Sequence, residues 1–236
     1  MKSKDATSFY ARVADWVAGA WAVFQKDLRL ELRSRYALST LLLFVLAVTL
    51  VVLFGIGDAP LTSEIETTLL WVVVLFAAAL GLGRAFVYEE EQGTVLLLRL
   101  HTRPSMVYAG KLLFNVLLIG VLTGVTAGAF WLMLGLEVGA PGLLGAVLAL
   151  GALGLAGATT LLGALIARAS AGGGALLTVL LFPLLTPLLV SVVSASQKAL
   201  AGVAFGAARE ELLTLVGFAG VTITASVLLF DYVWEG

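Results

Sequence analysis

Long apolar runs broken by short polar stretches dominate the chain, and the length of the runs decides what they are. A bilayer core of about 30 Å needs roughly 20 apolar residues of helix to cross it. Six segments qualify: Ala37 to Gly55, Leu69 to Val87, Met106 to Leu134, Leu143 to Ala167, about Gly174 to Ala195, and Leu212 to Val233. The third is longer than required and is predicted to tilt or to extend into the cytoplasm. None shows the alternation over about ten residues that marks a porin-type strand. The predicted fold class is an all-α membrane protein with six transmembrane helices.

The residues ahead of the first run follow a different pattern. Val17, Trp21, Phe24, Leu28 and Leu32 recur at helical spacing, with Lys26, Arg29 and Arg33 on another face. This predicts an amphipathic helix in the cytoplasmic interface, apolar stripe toward the acyl chains and bases toward anionic headgroups. The other reading is an ordinary extension of the first span. Charges are scattered through the segment, with no uninterrupted apolar stretch and no cleavage-like site, so it is not a secretory signal. The expected organisation is a cytoplasmic N-terminus with an interfacial helix (1–36) followed by a six-helix membrane domain (37–236).

Basic residues set the expected orientation, because Lys and Arg accumulate on the cytoplasmic side. With the N-terminus inside, that side receives Lys2, Lys4, Arg12, Lys26, Arg29, Arg33, Arg35, Arg84, Arg99, Arg103, Lys111 and Arg168. Only Lys198 and Arg209 fall outside. Six crossings return the C-terminus to the cytoplasm, and the outer loops are short.

Composition agrees: 61% of the 236 residues are hydrophobic and 12% charged, with a mean hydropathy of +1.07. Soluble domains hold about 45–50% and about 25%. The absence of cysteine removes disulfides and thiolate chemistry.

The missing chemistry narrows function further. There is no GxxxxGK followed by Ser or Thr, hence no nucleotide-cradling loop. There is no HExxH and no Ser-His-Asp arrangement. His101 is the one histidine, so the chain offers no axial pair of His for a haem. Arg84, Lys111 and Asp231 lie near span ends, and no carboxylate or base sits at mid-depth as an ion-coupling site would require. The chain is expected to be no enzyme by itself, and its driving energy to come from another subunit.

The connection from Tyr88 to Ser105 is the most informative stretch. Glu89, Glu90 and Glu91 end the second span, and Gly93 suits the left-handed turn that closes a helix. Thr94 then caps a short helix through Leu96, Leu97 and Arg99, and Pro104 starts the next span. A short apolar-faced helix between two spans has the shape of a partner-docking element. The alternative is a solvated acidic loop with an apolar turn on the lipid. Gly120, Gly124 and Gly128 form overlapping GxxxG steps, either for packing within the chain or for a homodimer seam. Gly151, Gly154, Gly157 and Gly163 thin the fourth span. Pro183 and Pro187 lie on one face of the fifth and predict a kink or local opening, as shape or as a hinge, with Thr186 helping to satisfy freed carbonyls.

Several stretches together resemble the CcmB family, the membrane subunit of the cytochrome c maturation haem exporter. They are Leu70-Trp71-Val72-Val73-Val74-Leu75-Phe76-Ala77-Ala78 leading through Leu82-Gly83-Arg84-Ala85-Phe86 to Gly93-Thr94, then Lys26 to Arg35, Gly110-Lys111, and Phe182-Pro183-Leu184-Leu185-Thr186-Pro187-Leu188-Leu189. The likeness runs from about Trp21 onward. It implies an ABC-2-type half-transporter of the bacterial inner membrane that binds no cofactor directly and uses ATP through a CcmA-like ATPase. It further implies CcmC-like and CcmD-like partners, haem as the cargo of the complex, release of a haem-loaded CcmE-like chaperone, and two copies per complex. Glu89, Glu90, Glu91, Gly93, Thr94, Leu96, Leu97 and Arg99 would form the ATPase-docking element. The competing readings are a membrane subunit of another ABC-2 exporter (of a drug, lipid or polysaccharide) and a non-transporting assembly scaffold.

Overall fold

The computed structural model describes residues 2–34, 36–57, 61–81, 103–168 and 173–235, with side chains for 12–33, 38–57, 61–80, 103–162 and 182–228. Among these residues the chain is helical, with no strand. The helices are α1 (Lys2–Ser34), α2 (Tyr36–Ile56), α3 (Ser63–Gly81), α4 (Pro104–Met133), α5 (Pro141–Arg168), α6 (Gly173–Leu200) and α7 (Arg209–Glu235). A short 3-10 turn, Phe205–Ala208, leads into α7. Five described stretches are long and apolar enough to cross a membrane: Leu38–Ile56, Ser63–Leu80, Pro104–Met133, Pro141–Leu162 and Phe205–Leu228. The remaining expected span falls on α6, a 28-residue helix whose side chains before Phe182 lie outside the described residues.

Local chemistry moves two boundaries from where hydropathy put them. Helix α3 begins at Ser63, six residues before the expected Leu69. Thr62 caps it: its carbonyl accepts from the Ile65 and Glu66 N–H groups at 3.0 Å, and Glu64 and Glu66 sit in the favourable first turn. Helix α6 runs past Ala195 to Leu200, because Lys198 is neutralised there by Glu211.

The core gathers around α5. Its face toward the bundle is small: a Cβ built at Gly151 would press on Trp71 and Val192, at Gly154 on Leu188, and at Gly157 on Thr222 and Ile223. One helix thereby touches α3, α6 and α7 closely, the route by which helices associate where lipid removes the hydrophobic drive. Trp71 is fully buried against it, and its indole N–H donates to Ser196 Oγ at 2.9 Å. Three buried hydroxyls are satisfied within their own helices: Thr126 on Leu122 O, Thr159 on Leu155 O, Ser226 on Thr222 O. Helix α2 is peripheral, with Leu43, Val51 and Phe54 exposed.

At one end of the bundle the turns lock together. Gly135 adopts φ +71°, and the Leu134 and Leu136 N–H groups return to Phe130 O, closing α4. In the segment that follows, the Gly139 and Ala140 N–H groups donate to Leu200 O and Ala199 O, at 3.1 and 2.8 Å. On the same end Lys198 bridges α6 to α7 through Glu211 Oε1 (2.5 Å) and Ala207 O (2.8 Å), with Ser194 donating to the same carboxylate.

Candidate coupling site at the foot of α4

Helix α4 starts abruptly. Arg103 is extended and Pro104 occupies the first helical turn, where its fixed φ and missing N–H are no loss. The first two turns, Pro104 to Lys111, then receive α1 along one side. Trp16 Nε1 donates to Ser105 Oγ at 3.0 Å. Gly19 faces Met106 so closely that a Cβ there would lie 2.6 Å from the sulfur. Gly110 lies against Ala20 O and Val23 Cβ, each 2.6 Å from where its Cβ would stand, so the two backbones meet directly. Lys111 Nζ reaches Asp27 Oδ2 at 3.5 Å, and Lys26 approaches the other carboxylate oxygen at 3.2 Å. Lys111 is 0% exposed and Asp27 8%, so this ion pair lies in the protein interior.

Helix α1 thus has three sides. Trp16, Gly19, Ala20, Val23 and Asp27 face α4. Val13, Val17, Trp21 and Leu32 are exposed, with the Trp21 and Phe24 rings in tilted contact, their centroids 4.9 Å apart. Arg29 and Arg33 are exposed on a third side. Beyond it, Glu31 Oε1 accepts from the Leu38 N–H at 2.6 Å, capping the first turn of α2 with a carboxylate that favours a helix N-terminus. A buried ion pair adds little net stability, because desolvation offsets attraction, but it fixes which residues meet.

The residues singled out from the sequence fare unequally. Glu89, Glu90, Glu91, Gly93, Thr94, Leu96, Leu97 and Arg99 lie outside the described residues, as does His101. Gly120, Gly124 and Gly128 are exposed, and a Cβ at any of them meets nothing within 4 Å among the described residues. Close packing inside the chain falls to Gly110, Gly151 and Gly154 instead. Pro183 and Pro187 are exposed on the outward face of α6, while Leu185 and Leu188 point inward. The Thr186 hydroxyl donates to Phe182 O at 3.0 Å, not to the Pro183 carbonyl that Pro187 deprives of a partner. Asp27 and Lys111 both fall in stretches that carry the family resemblance, but the sequence pattern gives neither a role nor a pairing, and Lys111 reads there as a charge near the cytoplasmic end of a span. The available signal was its depth, seven residues inside a span that starts at Pro104, where a charge is costly.

A scan against family models matches residues 18–230 to CcmB, described as CcmB protein. Three relatives carry the name Heme exporter protein B. The one from Bradyrhizobium diazoefficiens is 32% identical over 197 residues, covering 82% of this chain and 88% of its own. That from Paracoccus denitrificans is 32% identical over 212 residues, covering 88% and 93%. That from Rhodobacter capsulatus is 29% identical over 221 residues, covering 86% and 92%. The family model takes in α1 from Ala18 onward, the foot of α4 and every described span, and the chain therefore belongs to the CcmB family.

Proposed function

We propose that this chain is the membrane half of an ATP-driven complex that delivers haem for cytochrome c biogenesis. The observation that carries the reading is the match along nearly the whole chain to proteins named Heme exporter protein B. In this reading the chain crosses the bacterial inner membrane six times, with α6 as the fifth span, both termini cytoplasmic, and α1 lying in the cytoplasmic interface on its exposed Val13, Val17, Trp21 and Leu32 side. A CcmA-like ATPase docks on the element from Glu89 to Arg99. CcmC-like and CcmD-like subunits assemble beside it, and the work is spent on releasing a haem-loaded CcmE-like chaperone.

The residues fit such a division of labour. No acidic residue of the sequence lies at the middle of a span, so nothing offers an ion-coupling site. Haem is treated as cargo: the chain transmits motion and holds no haem itself. Two copies pair in the complex, and the outward Gly120, Gly124 and Gly128 edge of α4 supplies a surface over which a second helix can approach closely.

The test is co-purification of the tagged chain with its candidate ATPase from membranes, with ATP turnover measured beside a Glu89/Glu90/Glu91→Ala variant. Capture that the variant loses is the expected result. Capture without loss moves the interface elsewhere. Absence of capture overturns the ATP-driven reading and favours an assembly scaffold. A stoichiometric haem spectrum from the purified lone chain would overturn the claim that it holds none.

A further inference from the structure

We infer that α1 and the first two turns of α4 move as one rigid body, so that a displacement at the foot of α4 reaches the first turn of α2 through α1, with Asp27 and Lys111 as the positioning residues of that path. The inference rests on the ATP-driven reading above.

The clamp is long and made of unlike contacts. Its points along α1 run from Trp16 to Asp27, which at 1.5 Å per residue is about 16 Å of helix. A single contact would act as a pivot; four spread over that length resist rotation. The Trp16–Ser105 hydrogen bond fixes one end. In the middle, Gly110 lets the backbone of α1 approach to contact, so sliding along α4 would drive Val23 or Ala20 into a neighbouring side chain. At the other end the Asp27–Lys111 pair allows one register, since a slipped register would separate two charges inside a low-dielectric contact.

The far end of α1 is tied as well. Glu31 and Leu38 bridge the elbow between α1 and α2, so the capping carboxylate turns with α1 and pulls on the first turn of α2. Helix α2 also packs directly on α3 and α4, with Leu41, Val45 and Thr49 buried, while Leu43, Leu46, Leu50, Val51 and Phe54 are exposed, so the link through α1 adds a second hold at its first turn. Motion entering at Pro104 therefore has a route to α2 that avoids the close-packed centre around α5.

The chain contains no cysteine, which makes a reversible lock available. A Cβ at Gly19 lies 3.4 Å from Met106 Cγ, so Gly19→Cys with Met106→Cys brings two sulfurs within bonding reach. The variant is reconstituted with the ATPase in nanodiscs, oxidised, and its ATP turnover compared with that of the oxidised wild-type complex. If the two helices move together, turnover stays within twofold. A fall of tenfold or more that reductant restores overturns the inference. Failure of the disulfide to form overturns the geometry beneath it.

A second variant tests the positioning pair. Asp27→Ala is expected to keep ATPase capture and ATP turnover within threefold while covalent cytochrome c formation drops at least tenfold, an uncoupled behaviour that misfolding cannot produce. The swapped pair Asp27→Lys/Lys111→Asp should recover most of it. Full cytochrome c formation in Asp27→Ala overturns the role of the pair. Failure of the wild-type chain to capture the ATPase is a distinct result: it removes the functional reading, and the inference with it.

Discussion

Gly151→Ala adds one carbon at the most crowded point of the molecule, and its cost can be worked from the neighbours. The new Cβ would overlap the Trp71 six-membered ring, stand 2.9 Å from Trp71 Cζ3, and stand 2.9 Å from Val192 Cγ1. Ordinary contacts begin near 3.4 Å, so the indole must retreat by roughly an ångström. It is fully buried and held by its N–H on Ser196 Oγ at 2.9 Å, so retreat strains or breaks a buried hydrogen bond. Overpacking a core costs about 1–3 kcal/mol, and leaving a buried donor unsatisfied about 1–3 kcal/mol more. Some of the second is avoided if the indole tilts rather than slides, and the helix-propensity gain of Ala over Gly returns about 1 kcal/mol. A net loss of about 2–4 kcal/mol is expected, read as the shift in unfolding free energy in mixed micelles. Trp71→Phe should be destabilising alone but should recover part of the loss when combined with Gly151→Ala, a favourable coupling in a double-mutant cycle. A Gly151→Ala protein within about 0.5 kcal/mol of wild type, the scale of uninvolved substitutions, would refute the packing argument.

Other substitutions separate packing from assembly and coupling. Gly124→Ile should leave the fold of the chain intact, because a Cβ there meets no described neighbour, yet should abolish self-cross-linking of two copies in membranes if that edge is the seam. Gly110→Ala forces α1 away from α4 and should lower cytochrome c formation at least fivefold while the ATPase is still captured, as assayed by haem staining and pull-down. Lys198→Ala removes the link from α6 to Glu211 and Ala207 O; it should cost about 1–2 kcal/mol in micellar unfolding, since the pair is only partly buried. Gly93→Val should reduce ATPase stimulation more than membrane abundance, and unchanged stimulation would count against a left-handed docking turn.

Much of the architecture follows from the sequence alone, because lipid imposes a simple rule. A segment that crosses it must be helical, apolar and about 20 residues long, and the runs beginning at Ala37, Met106 and Leu143 became α2, α4 and α5 almost unchanged. The stretches around Leu70-Trp71 and Phe182-Pro183 carry the family resemblance in the sequence itself. The glycines of α5 were also visible as packing sites, though not which side chains they would meet. What hydropathy misses is chemistry at the ends: Thr62 and the first-turn acids extend α3 outward, and the Lys198–Glu211 pair carries α6 to Leu200.

Only the tertiary structure decided which faces meet. GxxxG spacing looks the same whether it is filled from within or open to a second chain, and the coordinates put Gly120, Gly124 and Gly128 outward and Gly110 inward. The period of α1 distinguishes an apolar stripe from a basic one, but not the side toward α4 that carries Asp27. An aspartate and a lysine 84 positions apart leave no periodic trace in a chain read residue by residue. They become a pair because Gly110 lets two backbones touch, and that contact depends on atoms from both helices at once. Local pattern fixes where a helix starts and what solvent it suits; which of its sides is covered, and by whom, is a property of the folded neighbours.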